Sequence, residues 1–452
     1  MRNAMADAEA VFRAGLARVD PLGMMERVLD LTGDILRVTT ETETHAYDLS
    51  RYRRIIVLGA GKASARMALG LERLLGDRLW GGSIAVKEGY TEPLSRLRLL
   101  PAGHPVPDAR SLRAARAVLD LAAAAGPDDL VIVLLSGGGS ALLAAPLLAP
   151  GHTLTLADKQ AVTRALLASG ADIHDVNRVR KKLSAIKGGR LARAIAPAHC
   201  LSLVLSDVVG DDLASIASGP TVPDGTLPAT ALAILDRYGL SGRIPAAAEA
   251  LLRDVAQGRA PDTLKPGDPA FDTCRTVLVG TNFQALLAAR DKARALGYST
   301  LVLTSRLTGE AREVARLFSA LARDMARHGL PVPLPGCVIA GGETTVTLRG
   351  TGKGGRNQEL ALAFLEDLSR SGREVGEAVL LAAATDGGDG PTDAAGAFAS
   401  RAILEKGWER GLYPAQFLAQ NDAYHYFQAV DRLCITGPTN TNVCDITVLV
   451  SP

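Results

Sequence analysis

Two hydrophobic rhythms alternate along this chain. Short, nearly continuous apolar runs end in Gly, Ser or Asp, and between them lie Ala-, Leu- and Arg-rich segments whose apolar residues recur at helical spacing. Such runs read as strands buried on both faces, and their alternation with helical segments predicts an α/β architecture of mostly parallel sheets flanked by helices. In the first half the predicted strands are RRIIVLGAG from Arg53, SIAVKEG from Ser83, RLRLLPAG from Arg96, DLVIVLLSGGG from Asp129 and CLSLVLSDV from Cys200. Between Gly239 and Asp272 a short helical pattern gives way to a Pro-, Gly- and Asp-rich stretch with no β-branched run, which marks a boundary. The pattern restarts with CRTVLVGTN from Cys274, STLVLTSRL from Ser299, GCVIAGGETTVTL from Gly336, AVLLAAATDGGDG from Ala378 and VCDITVLV from Val443. Two domains are expected: a Rossmann-like α/β domain over 1–245 and a second α/β domain over 270–452.

Composition narrows the class. With 47% hydrophobic and 22% charged residues in 452, the chain has the balance of a soluble globular protein with a sizeable core. Fifty Lys and Arg against 48 Asp and Glu leave a net charge of +2, so binding of nucleic acid by bulk charge is not expected. The cysteines, Cys200, Cys274, Cys337, Cys434 and Cys444, are odd in number and never at CxxC spacing, which argues against a disulfide framework or a structural zinc. The first twenty residues carry charges inside every apolar stretch, and no later run is long enough to span a membrane. A cytoplasmic location is expected.

The chemistry-bearing residues gather where strands end, which is where ligands bind in open α/β sheets. SGGGS, Ser136 to Ser140, follows a buried strand. Its glycines let backbone N–H groups converge on a phosphate, with a following helix adding partial positive charge; a permissive tight turn is the plainer alternative. LGAGKAS, Leu58 to Ser64, keeps Gly59 and Gly61 of a dinucleotide fingerprint but has Ser64 in the third glycine position, and no acidic ribose partner follows. It also lacks the spacing of a P-loop. What remains is Lys62 at a strand-to-helix turn, placed to neutralise an anion or simply a surface lysine.

NRVRKKLSAIKGGRLA, from Asn177, is dense in cations. An exposed helix face accounts for most of them, with Arg180 and Lys187 the candidates to face a ligand. SDVVGDDLASIASGP, from Ser206, offers Asp207 at a strand end as a base or metal ligand, whereas Asp211 and Asp212 read as first-turn helix residues. In GTGKGGRNQE, from Gly350, the glycines Gly354 and Gly355 precede Arg356 and Asn357 at a helix entrance, and arginine offers a bidentate fork to phosphate or carboxylate. ATDGGDGPTD, from Ala384, sets Asp386 and Asp389 after a strand, hard carboxylates suited to magnesium. Among seven histidines only His104, in AGHPVPD, lies in a suggestive loop. Anion cradles, a lysine, an arginine and strand-end carboxylates suit phosphoryl transfer, which needs positioning and charge neutralisation more than covalent participation.

Taken together, VLGAGKASARMA, LLSGGGSALL, NRVRKKLSAIKGGRLA, SDVVGDDLASIASGPTVPD, GGETTVTLRGTGKGGRNQE, TDGGDGPTDAAGA and TGPTNTNVCD resemble the glycerate 2-kinases of the MOFRL type, in order and over nearly the whole chain. The resemblance implies ATP-dependent phosphorylation of D-glycerate at its 2-hydroxyl, with Mg2+, by a two-domain α/β protein whose active site lies in the inter-domain cleft. It implies Lys62 and Arg356 as the essential cations; we assign Asp207 to orient or deprotonate the attacking hydroxyl, and Ser136, Gly137, Gly138, Gly139, Ser140, Gly354 and Gly355 to the ATP phosphates. Arg180 and Asn357 would bind glycerate, and Asp386 and Asp389 the metal. Small-molecule partners are expected, without nucleic acid or membrane, and a homodimer is left open. Three positions depart from the family's pattern: Lys182 where His is common, Val209 for Pro, and Asn440 for Gly. The rival readings are an NAD(P)H-dependent hydroxypyruvate reductase, because the family is also described by that activity, and a non-catalytic sugar-acid or anion-binding protein.

Overall fold

In the computed structural model, which describes residues 3–370 and 375–452, the chain divides into two compact units. One comprises Pro21–Val279; the other joins Met1–Asp20 to Gly280–Pro452. The linear division expected from the sequence, 1–245 and 270–452, differs from this at both ends. Helix Ala4–Arg18 packs into the unit formed by the C-terminal half, burying Ala8, Val11 and Phe12. Gly15 is needed at that contact, because a Cβ there would stand 3.0 Å from the Ala285 carbonyl oxygen. Tyr298 donates to Asp7 Oδ2 at 2.7 Å, and Thr441 donates to the Val19 carbonyl at 2.6 Å. The apolar pattern of one helix states that it needs a partner, not which one.

The unit Pro21–Val279 is built on a six-stranded sheet in the order Leu97–Ala102, Leu79–Lys87, Arg54–Ala60, Asp129–Leu135, His199–Leu205, Cys274–Gly280. The first five strands pair in parallel, with the buried runs of Arg54–Ala60 and Asp129–Leu135 at the centre. Every residue of Asp129–Leu135 is buried. Strand Cys274–Gly280, assigned above to the second domain, closes this first sheet beside His199–Leu205, with the Cys200 N–H donating to the Thr273 carbonyl at 2.8 Å. Beyond the sheet, helices between Leu156 and Ala256 enclose an apolar cluster of their own around Val162, Leu166, Val176, Val179, Leu235 and Leu251.

The other unit carries a six-stranded sheet in the order Ser299–Leu307, Gly336–Gly342, Asp445–Ser451, Val379–Ala384, Gly396–Ser400, Leu433–Cys434. Here only the first pair is parallel, and the other pairings are antiparallel. The C-terminal strand Asp445–Ser451 enters the middle of the sheet and is buried throughout, so it shows the same continuous apolar run as a parallel strand. That run signals two-sided burial and is silent on direction. A three-stranded antiparallel sheet, Leu29–Thr32, Ile35–Thr39 and Thr44–Asp48, escaped the sequence reading because its strands are short and half polar. No helix among the described residues is long and apolar enough to cross a membrane.

Candidate active site

In the unit Pro21–Val279, register alone brings the candidate loops together. Ala60 pairs with Leu135, Leu135 with Val204, Ala60 with Ala85, and Lys87 with Ala102. The segments that leave those strands, carrying Lys62, Ser136 to Ser140, Asp207 and His104, therefore emerge side by side at the carboxyl edge. Packing there is close enough to demand glycine. A Cβ on Gly137 would collide with Asp207 Oδ2; one on Gly138 would stand 2.9 Å from His104 Nε2 and 3.5 Å from Lys62 Cγ. Gly61, at φ 149°, leaves room only for Ser136 Oγ. That hydroxyl receives the Ala63 N–H at 3.0 Å and lies 3.1 Å from Ser64 Oγ, while the Lys62 N–H donates to the Gly137 carbonyl at 2.8 Å. Ser64, the residue that breaks the dinucleotide fingerprint, thus clamps the lysine turn to the glycine turn.

The helix after SGGGS is a single turn, Gly139–Leu142. The expected contribution of a helix dipole is accordingly missing, and any cradle there relies on glycine backbone and on Lys62. His104 is held neutral at physiological pH: burial first, then the charges of Lys62 and Lys87, push it down to about 4. Asp211 and Asp212 lie in a turn rather than a helix; Asp212 takes the Ala214 N–H at 3.1 Å and the Ser215 hydroxyl at 2.6 Å.

The cations from Arg178 onward are not an exposed face. Lys181, Lys182, Lys187 and Arg190 are buried, and only Arg178 is exposed. Lys182 donates to Asp262 Oδ1 at 2.6 Å and to Thr263 Oγ1 at 3.1 Å, and Lys181 lies 3.6 Å from Asp224 Oδ1. Arg190 donates to the carbonyls of Lys181, Ser184 and Pro261. The helix Ile173–Lys182 is enclosed by the helical cluster, so its charges must be answered from inside.

In the other unit, the loop from Gly350 to Gly355 closes on its own chain. A Cβ on Gly350 or Gly352 would strike the backbone of Gln420 or Asp422, and one on Gly355 would strike Asp389. Asp389, expected to bind metal, is buried, and its carboxylate receives the Asn357 N–H at 3.1 Å, the Gln358 N–H at 2.9 Å and the Gln358 side chain at 3.1 Å. It caps helix Arg356–Arg370 from outside, and burial pushes its carboxyl up to about 6. Asn357, expected to bind substrate, turns its amide to the same carboxylate at 3.3 Å.

The Arg356 fork is also occupied. It grips Asp445 through Nε at 2.5 Å and Nη2 at 2.8 Å and reaches Glu343 at 2.8 Å. Although burial works against its charge, Asp445 holds the guanidinium above its ordinary range. Asp386 stays at the strand end with Oδ1 accepting the Gly388 N–H at 3.2 Å. Among the described residues no group of three or more His, Cys, Asp or Glu side chains is arranged to hold a metal.

Comparison with known proteins supplies the context for this arrangement. Residues 7–253 match the domain of unknown function DUF4147, and residues 336–445 match the MOFRL family. The D-glycerate 2-kinase of Thermotoga maritima is 38% identical over 87% of this chain and 90% of its own, and the glycerate kinase of Danio rerio is 37% identical over 98% and 97%. The chain belongs to the MOFRL-type glycerate 2-kinase family. A Thermotoga maritima glycerate kinase crystal structure matches the whole fold with a TM-score of 0.84 at 34% identity, covering 100% of both chains. A protein of Agrobacterium vitis named putative hydroxypyruvate reductase is 43% identical over 88% of this chain and 87% of its own.

Family membership makes two of the three departures informative. Asn440 sits at φ 58°, in the left-handed region where Asn is the best substitute for Gly. Lys182 is locked to Asp262 and Asp224, so that position is structural in this member. Nothing in the structure explains Val209. Two groups were underweighted by sequence reasoning. His104 has a local signal in its loop but none for its neutrality, and Lys159, buried on helix Leu156–Ala168, has none.

Proposed function

We propose that this protein transfers the γ-phosphoryl group of ATP to the 2-hydroxyl of D-glycerate. The observation that carries the reading is the convergence of Lys62, Asp207 and His104 around Gly137 and Gly138 at one sheet edge. In this reading the Lys62 ammonium neutralises the equatorial oxygens of the transferring phosphoryl group, and the Gly137–Gly139 turn lets a phosphate approach the backbone. Asp207 orients the hydroxyl and accepts its proton as the new P–O bond forms and the bond to ADP breaks. His104, neutral at pH 7, serves as a hydrogen-bonding group. Arg356, in the other unit, is held by Asp445 and Glu343 and so is a fixed charge rather than a free fork. Mg2+ fits only where one or two carboxylates act with ligand oxygens, and Asp386, just past the end of its strand, is a group that would hold it; when bound it would offset phosphate charge.

The test is product formation: purified protein with ATP and D-glycerate should release ADP and give a single phosphorus resonance, split as expected for 2-phospho-D-glycerate. A 3-phospho product would overturn the regiochemistry, and no ADP release would overturn the reading. The reductase name of the Agrobacterium vitis relatives calls for a parallel assay of NADH oxidation with hydroxypyruvate. The strand-helix-strand unit from Arg54 to Lys87 argues against that activity, since its third glycine is the serine clamp and its second strand ends in a lysine.

A further inference from the structure

Of the buried cations in the unit Pro21–Val279, one group is compensated and another is not. Lys181 and Lys182 share Asp224 and Asp262. Lys159 and Lys187 are equally buried but meet only carbonyl oxygens: Lys159 Nζ donates to Ala145 at 2.8 Å, and Lys187 Nζ to Ser140 at 2.7 Å and Leu143 at 3.2 Å. Both ammonium groups therefore line one short stretch, residues 140–145, directly after the glycine turn. Arg180 joins them from helix Ile173–Lys182. Three residues earlier on the same helix face, Asn177 Oδ1 accepts the Ser218 hydroxyl at 3.2 Å, and Ser218 Oγ lies 2.9 Å from Ser140 Oγ. Half-buried Arg180 has no ion pair or hydrogen-bond partner among the described residues. No carboxylate offsets this trio: the charges acting on Lys159 are Arg180 and Arg190, and those acting on Lys187 are Arg180 and Lys159.

Three basic groups gathered in a protein interior with no counter-charge are costly to charge, and a bound anion would offset that cost. We propose that Lys159, Arg180 and Lys187, with the Ser140 and Ser218 hydroxyls, form an oxyanion pocket that binds a carboxylate or phosphoryl group. Burial chiefly, then mutual repulsion, holds Lys159 down to about 7 and Lys187 well below its ordinary range, and a bound anion would restore both charges. The pocket does not depend on the kinase reading, whereas its assignment to a substrate group does. Two sources supply the same chemistry, the acceptor's carboxylate and a phosphate of the nucleotide.

The test begins with binding, not turnover. Inorganic phosphate and D-glycerate, added separately, should raise the Tm of the wild-type protein. Arg180→Gln should weaken that response with about a tenfold or larger rise in Kd, the loss expected for one charge-assisted contact. Because Arg180→Gln removes a repelling charge and no internal hydrogen bond, its Tm without added anion should equal or exceed that of wild type. Arg178→Gln, an exposed neighbour paired with Asp175, should leave the response unchanged. Unaltered anion binding in Arg180→Gln and in Lys187→Met overturns the pocket. If turnover is confirmed, a raised KM for D-glycerate with an unchanged KM for ATP assigns the site to the carboxylate, and the reverse assigns it to the nucleotide. Weakened binding with both KM values unchanged supports the pocket and overturns its assignment to either substrate.

Discussion

The two glycine loops of this protein look alike as sequence and differ as structure. SGGGS and GTGKGG each follow a strand, precede a helix and have charged residues nearby. In the first, glycine makes room for other side chains: the carboxylate of Asp207 and the ring of His104 crowd against Gly137 and Gly138, with the stem of Lys62 alongside. In the second, glycine makes room for the chain itself, while Arg356 is held by Asp445 and Asn357 by Asp389. A glycine-rich loop records that something comes close. Whether that something is a ligand-facing group or a structural cap depends on what the neighbouring donors have already been given.

The sharpest way to break this contrast is to remove one cation from each side. Lys62→Ala should lower glycerate-dependent ADP release by about a hundredfold or more while leaving the Tm close to wild type. Arg356→Ala should also lower activity, but it abandons buried Asp445 and should cost roughly 3–5 kcal/mol of stability by denaturant titration. Adding Asp445→Ala to Arg356→Ala should recover much of that stability and none of the activity. A Lys62→Ala protein as unstable as Arg356→Ala would erase the distinction, and near-normal turnover in either single variant would remove that residue from the mechanism.

A smaller perturbation repeats the comparison at the glycines. Gly355→Ala drives a methyl into both the backbone and the carboxylate of Asp389, so it should destabilise by about 1–3 kcal/mol. Gly137→Ala first meets the carboxylate end of the Asp207 side chain rather than backbone, so its effect should fall on turnover more than on Tm. The opposite ranking in paired thermal melts and ADP-release assays would mean that the first loop is the structural one.

These contrasts mark how far the residues could be read without coordinates. Each predicted strand exists, because burial of the central strands writes itself into composition, and the strand-end rule named Lys62, Ser136 to Ser140 and Asp207, which the register brings to one sheet edge. Partners were not legible. Nothing local tells that Arg356 is answered by Asp445, 89 residues away, or that Lys182 is answered by Asp262 and Lys187 is not. The same blindness placed helix Ala4–Arg18 and strand Cys274–Gly280 in the wrong units and took buried lysines for a solvated face. Charge state is a property of neighbours, so His104 and Asp389 could be named from sequence but not assigned a protonation state.

The smallest expected effect uses that last pair. His104 is pushed from 6.5 down to about 4, so between those values the unfolded chain takes up a proton that the folded one refuses, and stability rises with pH. Asp389 is pushed from 3.8 up to about 6, so the folded state keeps a proton that the unfolded chain has lost. Its contribution is present below 3.8 and is lost as pH rises through 6. Between about pH 4 and 6 the two slopes oppose each other in the wild-type protein. His104→Gln should therefore tilt the dependence of Tm on pH downward across that window, and Asp389→Asn should tilt it upward, whatever constant offset each substitution adds. Parallel Tm curves for wild type and His104→Gln would mean that this imidazole titrates normally, so that neither its burial nor the neighbouring lysines hold it neutral.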